Sequence, residues 1–345
     1  MKSKANGRLS RREFLAASVA TSGVAILFAA GVAAQEHTPV ADHTGVAAVP
    51  AAGMAHGENS GLVGEVNLAN FDPTEFLYDF DWGQESVAPD GRTVREWQIA
   101  AVDKEIEVAP GVFFPAWTYN GQVPGPTFRC RQGDLLRFRF RNASAHPHTI
   151  HFHGIHPPSM DGVTPVVPTG GDFVYEFEAK PFGLHLYHCH VMPLKRHIHK
   201  GLYGAFIIDP PAGRPPAREM VMVMNGFDTN FDNENEVYAV NTVAFHYMNH
   251  PIVIERDRPV RIYLVNVTEF DLLNSFHLHA NFFDYYDPGT RLEPSQREVD
   301  TIMQVQGQRG ILEFSYKGYD PGLYMFHAHV SEFAELGWMG VFDVR

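Results

Sequence analysis

The sequence predicts an all-β protein made of two β-sandwiches, and three observations predict that fold class. Residues 135–142 (LLRFRFRN) and 172–180 (DFVYEFEAK) alternate apolar with polar side chains, as a strand with one buried face does. No stretch shows the apolar repeat of a long amphipathic helix. The strand pattern stops at a proline-rich segment, 209–216, and resumes at 219–227, which indicates two sandwiches rather than one.

The length of the chain allows two domains. Its 345 residues, 45% of them hydrophobic, suffice for two domains of about 150 residues each. We expect the first domain over residues 62–210, a linker over 211–216 and the second domain over 217–345. Residues 35–61 are rich in alanine, glycine and proline and show no apolar period, so we expect a flexible lead-in there.

The first 34 residues resemble a twin-arginine export signal. Arg11 and Arg12 precede a moderately apolar run, which closes with the small residues GVAA before Gln35. The run is long enough to span a bilayer, so a retained membrane anchor is the alternative. Because small polar residues interrupt the run, cleavage is favoured. We therefore expect export by the twin-arginine route to the periplasm or the cell exterior.

The net charge argues against one class of partner, and the two cysteines indicate two different roles. The formal net charge is −13, and it becomes about −17 without residues 1–34, which carry a net +4. Such an acidic chain argues against nucleic acid as a partner. Cys189 sits between two histidines and is interpreted as a metal ligand, whereas Cys130, alone in a strand-like run, is interpreted as a buried side chain. No disulfide is expected.

The two halves of the chain repeat each other. GLHLYHCHV at 183–191 aligns without a gap with GLYMFHAHV at 322–330. HTIHFHG at 148–154 matches NSFHLHA at 274–280 in the same way. An internal duplication is the simplest explanation.

The repeats carry four His-x-His pairs. The pairs are His151/His153, His188/His190, His277/His279 and His327/His329. Residues two apart on a strand point to the same face, so each pair presents two imidazoles to one side. A single pair would be unremarkable, but four pairs at matched positions indicate eight nitrogen donors for copper, zinc or iron.

Cys189 narrows the choice of metal. Strand alternation sends its sulfur to the face opposite His188 and His190. A thiolate with two histidines makes a trigonal site of the blue-copper kind, and His148 and His197 are placed to complete it. One short strand would then supply ligands to two metal sites and connect them covalently.

At these motifs the sequence resembles the multicopper oxidase family. HTIHFH, HCHVMPLKRHIHKGL, HLH and HAH carry the resemblance, which covers about residues 90–345. In particular it resembles the two-domain, laccase-like members, which are built from cupredoxin domains. These domains are Greek-key β-sandwiches, and the resemblance implies that the type 1 copper lies in the first of them. The resemblance implies four coppers for each functional unit.

The resemblance also implies the ligands. The type 1 copper would be held by His148, Cys189 and His197. The type 2 copper would be held by His151 and His277. One type 3 ion would be held by His188, His279 and His327, and the other by His153, His190 and His329.

The second half looks like a copy whose blue site is lost. Cys189 aligns with Ala328, and His148 aligns with Asn274. In the family's usual spacing the second histidine falls at Phe333 and the axial position at Trp338.

The first half departs from the family in one loop. Cys189 lies eight residues before His197, where the family usually has five. His199 is a rival to His197, which is favoured because it alone keeps the HxxxGL frame. That frame puts Leu202 at the axial position, where leucine cannot coordinate and should raise the reduction potential, although Met192 offers an alternative sulfur.

Asp161 is the further catalytic candidate. It follows the first histidine pair in SMDGV and matches an acid that in the family steers the type 2 copper's water or passes protons. An Asp-Gly turn explains it equally well. His146, His156 and His185 have no matched role.

The resemblance implies an oxidase that takes single electrons from a phenolic, aromatic or metal-ion reductant and reduces dioxygen to water. It also implies a homotrimer in which each trinuclear cluster joins the first domain of one subunit to the second domain of the next. The alternatives are a copper-containing nitrite reductase and a non-catalytic copper-binding or electron-transfer protein.

Overall fold

The computed structural model describes residues 60–345. The expected export signal and all but the last two residues of the expected lead-in therefore lie outside the described residues. Within 60–345, no helix combines the length and the apolar character needed to cross a membrane. Strands dominate the described chain, which confirms the all-β fold class.

The first half is a sandwich of two sheets. Its strands are β1 (Phe80–Asp81), β2 (Gln84–Val87), β3 (Thr93–Ala109), β4 (Val112–Tyr119), β5 (Thr127–Arg131), β6 (Leu135–Asn142), β7 (His151–Phe152), β8 (Asp172–Glu178), β9 (Gly183–His188) and β10 (Tyr203–Asp209). One sheet has the order β1-β5-β10-β9-β7, and the other has the order β2-β3-β6-β8 with β4 paired to β3. Between them lies an aromatic core in which Phe138 stacks on Trp97 at 4.5 Å. Cys189 is part of this core.

The second half repeats the architecture. Its strands are β11 (Arg218–Phe227), β12 (Val237–Val240), β13 (Ile252–Ile254), β14 (Val260–Asn266), β15 (Leu273–Leu278), β16 (Phe283–Tyr286), β17 (Gln296–Val299), β18 (Thr301–Val305), β19 (Arg309–Phe314), β20 (Gly322–His327) and β21 (Met339–Val344). The sheets run β12-β11-β14-β19-β16-β17 and β13-β21-β20-β15-β18. Phe326 and Phe342 stack at 4.4 Å in the core between them.

The helices of the described residues are all short. They are α1 (Pro73–Phe76), α2 (Leu194–His199), α3 (His246–Asn249) and α4 (Ser331–Glu335), with 3-10 turns at Ser60–Leu62, Leu68–Asn70 and Pro158–Met160. Two of them, α2 and α4, occupy equivalent places, because each follows the histidine-rich end of a strand in its half. The loop that holds α2 is the longer one, and it carries His197.

The two halves pack closely on each other. A shared apolar cluster contains Leu184 and Ala205 from the first half and Val223 and Val265 from the second. The segment expected to be a linker lies between β10 and β11. The segment 73–77, although it precedes β1, packs on the second half: Leu77 joins that core, and its carbonyl accepts the N–H of Val221 at 2.9 Å.

A buried ion network crosses the same boundary. Arg129 on β5 contacts Asp209 at 2.8 Å and Glu219 on β11 at 2.7 Å, and Arg261 reaches Glu219 at 2.9 Å. The paired guanidinium groups hold the pKa of Glu219 at about 2 despite its partial burial. The frame that positions the histidines is therefore fixed by both apolar and ionic contacts.

Candidate metal centres

Cys189, His148 and His197 meet in one buried cluster. Cys189 follows β9, and its N–H donates to the carbonyl of Leu202 at 3.0 Å, so it continues the pairing of β9 with β10. Its Sγ lies 3.3 Å from Nδ1 of His197 and 3.8 Å from Nδ1 of His148. The two Nδ1 atoms are 3.2 Å apart. The structure thus brings together the three residues that the sequence proposes for a type 1 site.

A hydrogen-bond chain orients the His148 ring. The hydroxyl of Ser144 donates to Oδ1 of Asp103 at 2.6 Å, and Nε2 of His148 lies 2.9 Å from the hydroxyl oxygen of Ser144. Because the hydroxyl proton is used on the carboxylate, the oxygen accepts from an Nε2–H. The lone pair of His148 is then on Nδ1, which faces Cys189.

Trp117 covers the cluster. Its ring centroid lies 5.3 Å from that of His148 and 4.9 Å from that of His197. The burial lowers the pKa of His148 to about 3 and that of His197 to about 4, so both rings are neutral at pH 7. Burial also raises the pKa of the Cys189 thiol. Neutral imidazoles are ready ligands, and a thiol in this position needs a cation to become a thiolate.

The structure distinguishes between the alternative ligands that the sequence left open for this site. Leu202 is wholly buried in the same core as Cys189, and its N–H donates to the carbonyl of His197 at 3.3 Å. Met192 is 76% exposed and lines a cavity beside His188 instead. His199 points away from the cluster, because its Nε2 accepts the N–H of Asp228 at 3.0 Å.

The histidine pairs of the first half form one patch on the face opposite the sulfur. His151 on β7 is the direct cross-strand partner of His188 on β9. The ring of His151 lies 5.2 Å from those of His153 and His188 and 5.3 Å from that of His190. Nε2 of His153 approaches Nε2 of His188 to 3.2 Å. Four imidazoles therefore share one small surface.

The second half builds the same patch. His277 on β15 faces His327 on β20, with rings 5.3 Å apart, and its ring lies 5.2 Å from that of His329. Nε2 of His279 lies 2.8 Å from Nε2 of His327. In the described part of one chain, each group of close candidate ligands takes its histidines from one half alone. The two patches are equivalent but separate.

Asp161 touches the first patch from a turn. Its Oδ1 lies 3.3 Å from Nδ1 of His151, which also donates to the Asp161 carbonyl at 2.6 Å. Gly162 adopts a φ of +77°, and a side chain there would collide with the backbone of Ile150. Asp161 thus occupies an Asp-Gly turn and orients a histidine at the same time. His156 joins this group, whereas His185 is buried against the carbonyl of Pro181.

Sequence reasoning did not find Trp117, Ser144 or Asp103. The sequence did contain a signal for Ser144: Asn142-x-Ser144 in the first half corresponds to Asn266-x-Thr268 in the second. In both halves the asparagine side chain accepts the N–H of the hydroxyl residue two positions later, at 3.1 and 3.0 Å. The other two residues belong to distant strands and carry no such pattern.

The fold and the buried Cys–His cluster define a copper protein of the cupredoxin class. Profiles described as multicopper oxidase match residues 101–213 and 213–345. The chain belongs to the multicopper oxidase family, a family of copper oxidoreductases, as the motifs led us to expect.

Known proteins resemble this chain to different degrees. A crystal structure of a multicopper oxidase shares 57% identity and covers 80% of this chain and 98% of its own, with a TM-score of 0.78. A copper nitrite reductase from Nitrosomonas europaea shares 26% identity over 73% of this chain and 94% of its own, with a TM-score of 0.66. The copper-containing nitrite reductase of Neisseria gonorrhoeae is 28% identical over 253 residues, 67% of this chain. The chain spans 63% of the length of that curated relative.

Proposed function

We propose that this protein is a laccase-like oxidase. It would take single electrons from a reductant at the Cys189 cluster and reduce dioxygen to water at the histidine patches. The observation that carries the proposal is the tripeptide His188–Cys189–His190. Its sulfur faces the Cys189 cluster, and its two rings face the histidine patch of the first half. The two histidine pairs of the second half are also present. Copper bound at these residues would supply the one-electron redox chemistry and the binding of dioxygen.

The donor set fits copper. One buried thiol and two neutral imidazoles lie within 3.8 Å of one another, and together they would hold a copper ion of the blue-copper kind; Leu202, in the same core, offers no further donor atom. The patches supply eight imidazoles, enough for the type 2 ion and the type 3 pair. The proposed type 2 ligands are His151 and His277. The proposed type 3 ligands are His153, His188, His190, His279, His327 and His329.

The chain itself links the two kinds of site. The covalent path from the Cys189 sulfur to either neighbouring ring crosses a single peptide bond. Nδ1 of His188 also donates to the carbonyl of Cys189 at 2.9 Å, a second and shorter connection. That bond occupies Nδ1 and leaves Nε2 of His188 free for a metal ion.

The separation of the two patches supports a homotrimer. Cross-strand pairing puts Met303 and Val305 on the face of β18 that continues the His277 face of β15, and both side chains are exposed. Leu323 on β20 is exposed on the same side. A patch rimmed by exposed apolar residues is typical of an interface. We propose a ring of three copies, in which the first half of one subunit meets the second half of the next.

Mixing two inactive variants tests this arrangement. His190→Ala disables the first-half patch and His329→Ala disables the second-half patch, so each protein alone should be inactive. When the two are co-expressed, a wild-type first half meets a wild-type second half at some interfaces, and dioxygen uptake should return. If the mixed protein stays inactive while forming trimers, the shared site is wrong.

The second candidate is a copper nitrite reductase, which the Neisseria gonorrhoeae and Nitrosomonas europaea relatives favour. His190 and His329 argue for the larger dioxygen site, because both rings lie within their patches. Dioxygen uptake with a phenolic reductant, nitrite consumption and copper content per chain distinguish the two enzymes. We expect dioxygen uptake and four coppers per functional unit; copper without either turnover would indicate an electron-transfer protein. We also propose that the protein is exported by the twin-arginine route.

A further inference from the structure

A cavity lies beside the helix that carries His197. Its volume is about 510 Å³, within the range of small-molecule sites. Its lining includes Lys195 and Arg196 from α2, Lys200 just after α2, and the rings of Phe231 and Phe270 from the second half. Both halves therefore build it.

The lining is cationic although the chain is acidic. Its one carboxylate, Asp228, accepts the N–H groups of Asp232 at 3.1 Å and Asn233 at 2.8 Å. The side chains of Lys195 and Lys200 rest on aromatic rings instead of on acids: Nζ of Lys195 lies 4.1 Å from the centroid of Phe270. Within residues 60–345, neither lysine ammonium has a carboxylate oxygen within 4 Å. Asp103 and Glu269 act on these ammonium groups only from a longer distance, so the lining keeps an excess of positive charge.

Lys200 is the most constrained of these cations. It is only 7% exposed, and its Nζ lies 4.7 Å from the centroid of Phe114 and 5.0 Å from that of Phe231. Burial lowers the pKa of this amine to about 8, so at neutral pH it is still mostly protonated. A buried cation is costly; the charge of Asp103 offsets part of that cost, and an anionic ligand would offset more of it.

Lys200 and Trp117 lie between the cavity and the Cys189 cluster. The backbone N–H of Trp117 donates to the backbone carbonyl of Lys200 at 2.7 Å. Nζ of Lys200 lies 5.9 Å from the centroid of the Trp117 ring. The same ring packs on His197, at 4.9 Å. Lys200, which lines the cavity, is thus separated from a ligand of the proposed type 1 site by the ring of Trp117.

We propose that this cavity binds the reductant and selects anionic aromatic molecules, phenols that bear a carboxylate or a sulfonate. The anionic group lies against Lys195 and Lys200, and the ring lies against Phe231 and Phe270. This inference rests on the proposed oxidase function. Each phenol loses one electron and one proton to become a phenoxyl radical, and four such losses match the four electrons and four protons that convert dioxygen to two waters. Ferrous and cuprous ions are repelled by the same charges.

Syringate and syringol, the same phenol with and without a carboxylate, test the selectivity. Steady-state dioxygen uptake gives kcat/KM for each, and their ratio is compared across the wild type, Lys200→Gln, Lys195→Gln and Lys317→Gln. The exposed Lys195 keeps the test valid if loss of the buried Lys200 disturbs folding. Lys317 is an exposed lysine of the second half and serves as the matched control.

We expect the ratio of syringate to syringol to fall about five- to tenfold in each cavity variant, through KM for syringate. Lys317→Gln should leave the ratio unchanged, and added salt should lower the wild-type ratio. An unchanged ratio in both cavity variants, with full copper content, overturns the proposal, and so does an equal loss for both phenols. If the wild type consumes dioxygen with neither phenol and with neither ferrous nor cuprous ions, the oxidase function itself fails; dioxygen uptake with the metal ions alone overturns only the selectivity proposed for the cavity.

Discussion

The Cys189 cluster of the first half and its counterpart in the second half have the same backbone arrangement but differ in each of the aligned side chains. Cys189 N–H donates to the Leu202 carbonyl at 3.0 Å, and Ala328 N–H donates to the Trp338 carbonyl at 3.1 Å. The next bond of the frame also matches: it joins Leu202 to His197 at 3.3 Å and Trp338 to Phe333 at 2.9 Å. The aligned residues therefore occupy equivalent places in space.

In the second half, aromatic side chains fill the space that the proposed ligands Cys189, His148 and His197 line in the first half. Phe333 stacks on Tyr238 with centroids 3.9 Å apart, and Trp338 packs against Phe276 and Phe326 at 5.8 and 5.9 Å. The histidine patch on the opposite face is unaffected. The two faces of the strand that ends at Ala328 have therefore changed independently. One face is filled by apolar packing, and the other keeps its histidine donors.

The largest effect is expected from Cys189→Ser. Loss of the thiol removes the donor of the first cluster and the start of the path to the histidines, so turnover should fall to background and the blue colour should vanish. Cys130→Ala is the control: among residues 60–345 that buried cysteine lies beside the Ile207 carbonyl and in no group of close candidate ligands, so the variant should keep both properties. Visible absorption and dioxygen uptake measure the result; turnover that survives in Cys189→Ser would disprove the connection.

Trp338→Ala should destabilise the second half without changing the copper chemistry of the first. Truncation of a wholly buried indole leaves a cavity and should lower the free energy of unfolding by about 3–5 kcal/mol. Denaturant unfolding with and without a copper chelator measures it. Leu292→Ala, a half-exposed position, is the control and should change the free energy by less than about 0.5 kcal/mol. An equal loss in both variants would mean that the aromatic filling contributes nothing.

Ser144→Ala and Thr268→Ala compare equivalent hydroxyl groups. Ser144 connects His148 to Asp103, whereas Thr268 accepts a bond from Asn274 at 3.0 Å. Each substitution should cost about 1 kcal/mol of folding free energy. Only Ser144→Ala should also weaken copper retention at the first cluster, by about fivefold, because only His148 needs a set tautomer. Competition with a chelator measures retention, and equal retention in the two variants would contradict the tautomer argument.

The smallest effect is expected from Ala328→Cys. A lone thiol among Asn274, Phe333 and Trp338 has no imidazole partner, so no new thiolate–copper absorption should appear. Adding Asn274→His and Phe333→His to the same protein restores the donor set and should produce such absorption. A blue signal in the single variant would show that the backbone frame by itself is enough.

Local pattern was sufficient for much of this protein. Strand periodicity predicted the all-β fold, and the fold class and the family are confirmed. The same periodicity put His188 and His190 on one face and Cys189 on the other, as the structure has them. The family's usual spacing located Phe333 and Trp338, and the structure puts them where His197 and Leu202 lie in the first half, because two copies of one backbone place equivalent residues identically.

Choices between neighbouring residues needed the three-dimensional structure. Sequence left His197 beside His199 and Leu202 beside Met192 as rivals, since spacing along a short helix or loop does not tell which side chain turns inward. Packing separates them: His199 turns to the backbone of Asp228, and Met192 turns to solvent.

What the sequence determined by itself is the set of donors and the face on which each lies, because strand geometry is local and has a period of two. What only the tertiary structure decided is which distant residues surround those donors. Trp117 and Asp103 meet the cluster through the pairing of β3 with β4 and the packing of two sheets. Contacts between segments far apart in the chain depend on register and close packing, and no short stretch of sequence encodes either.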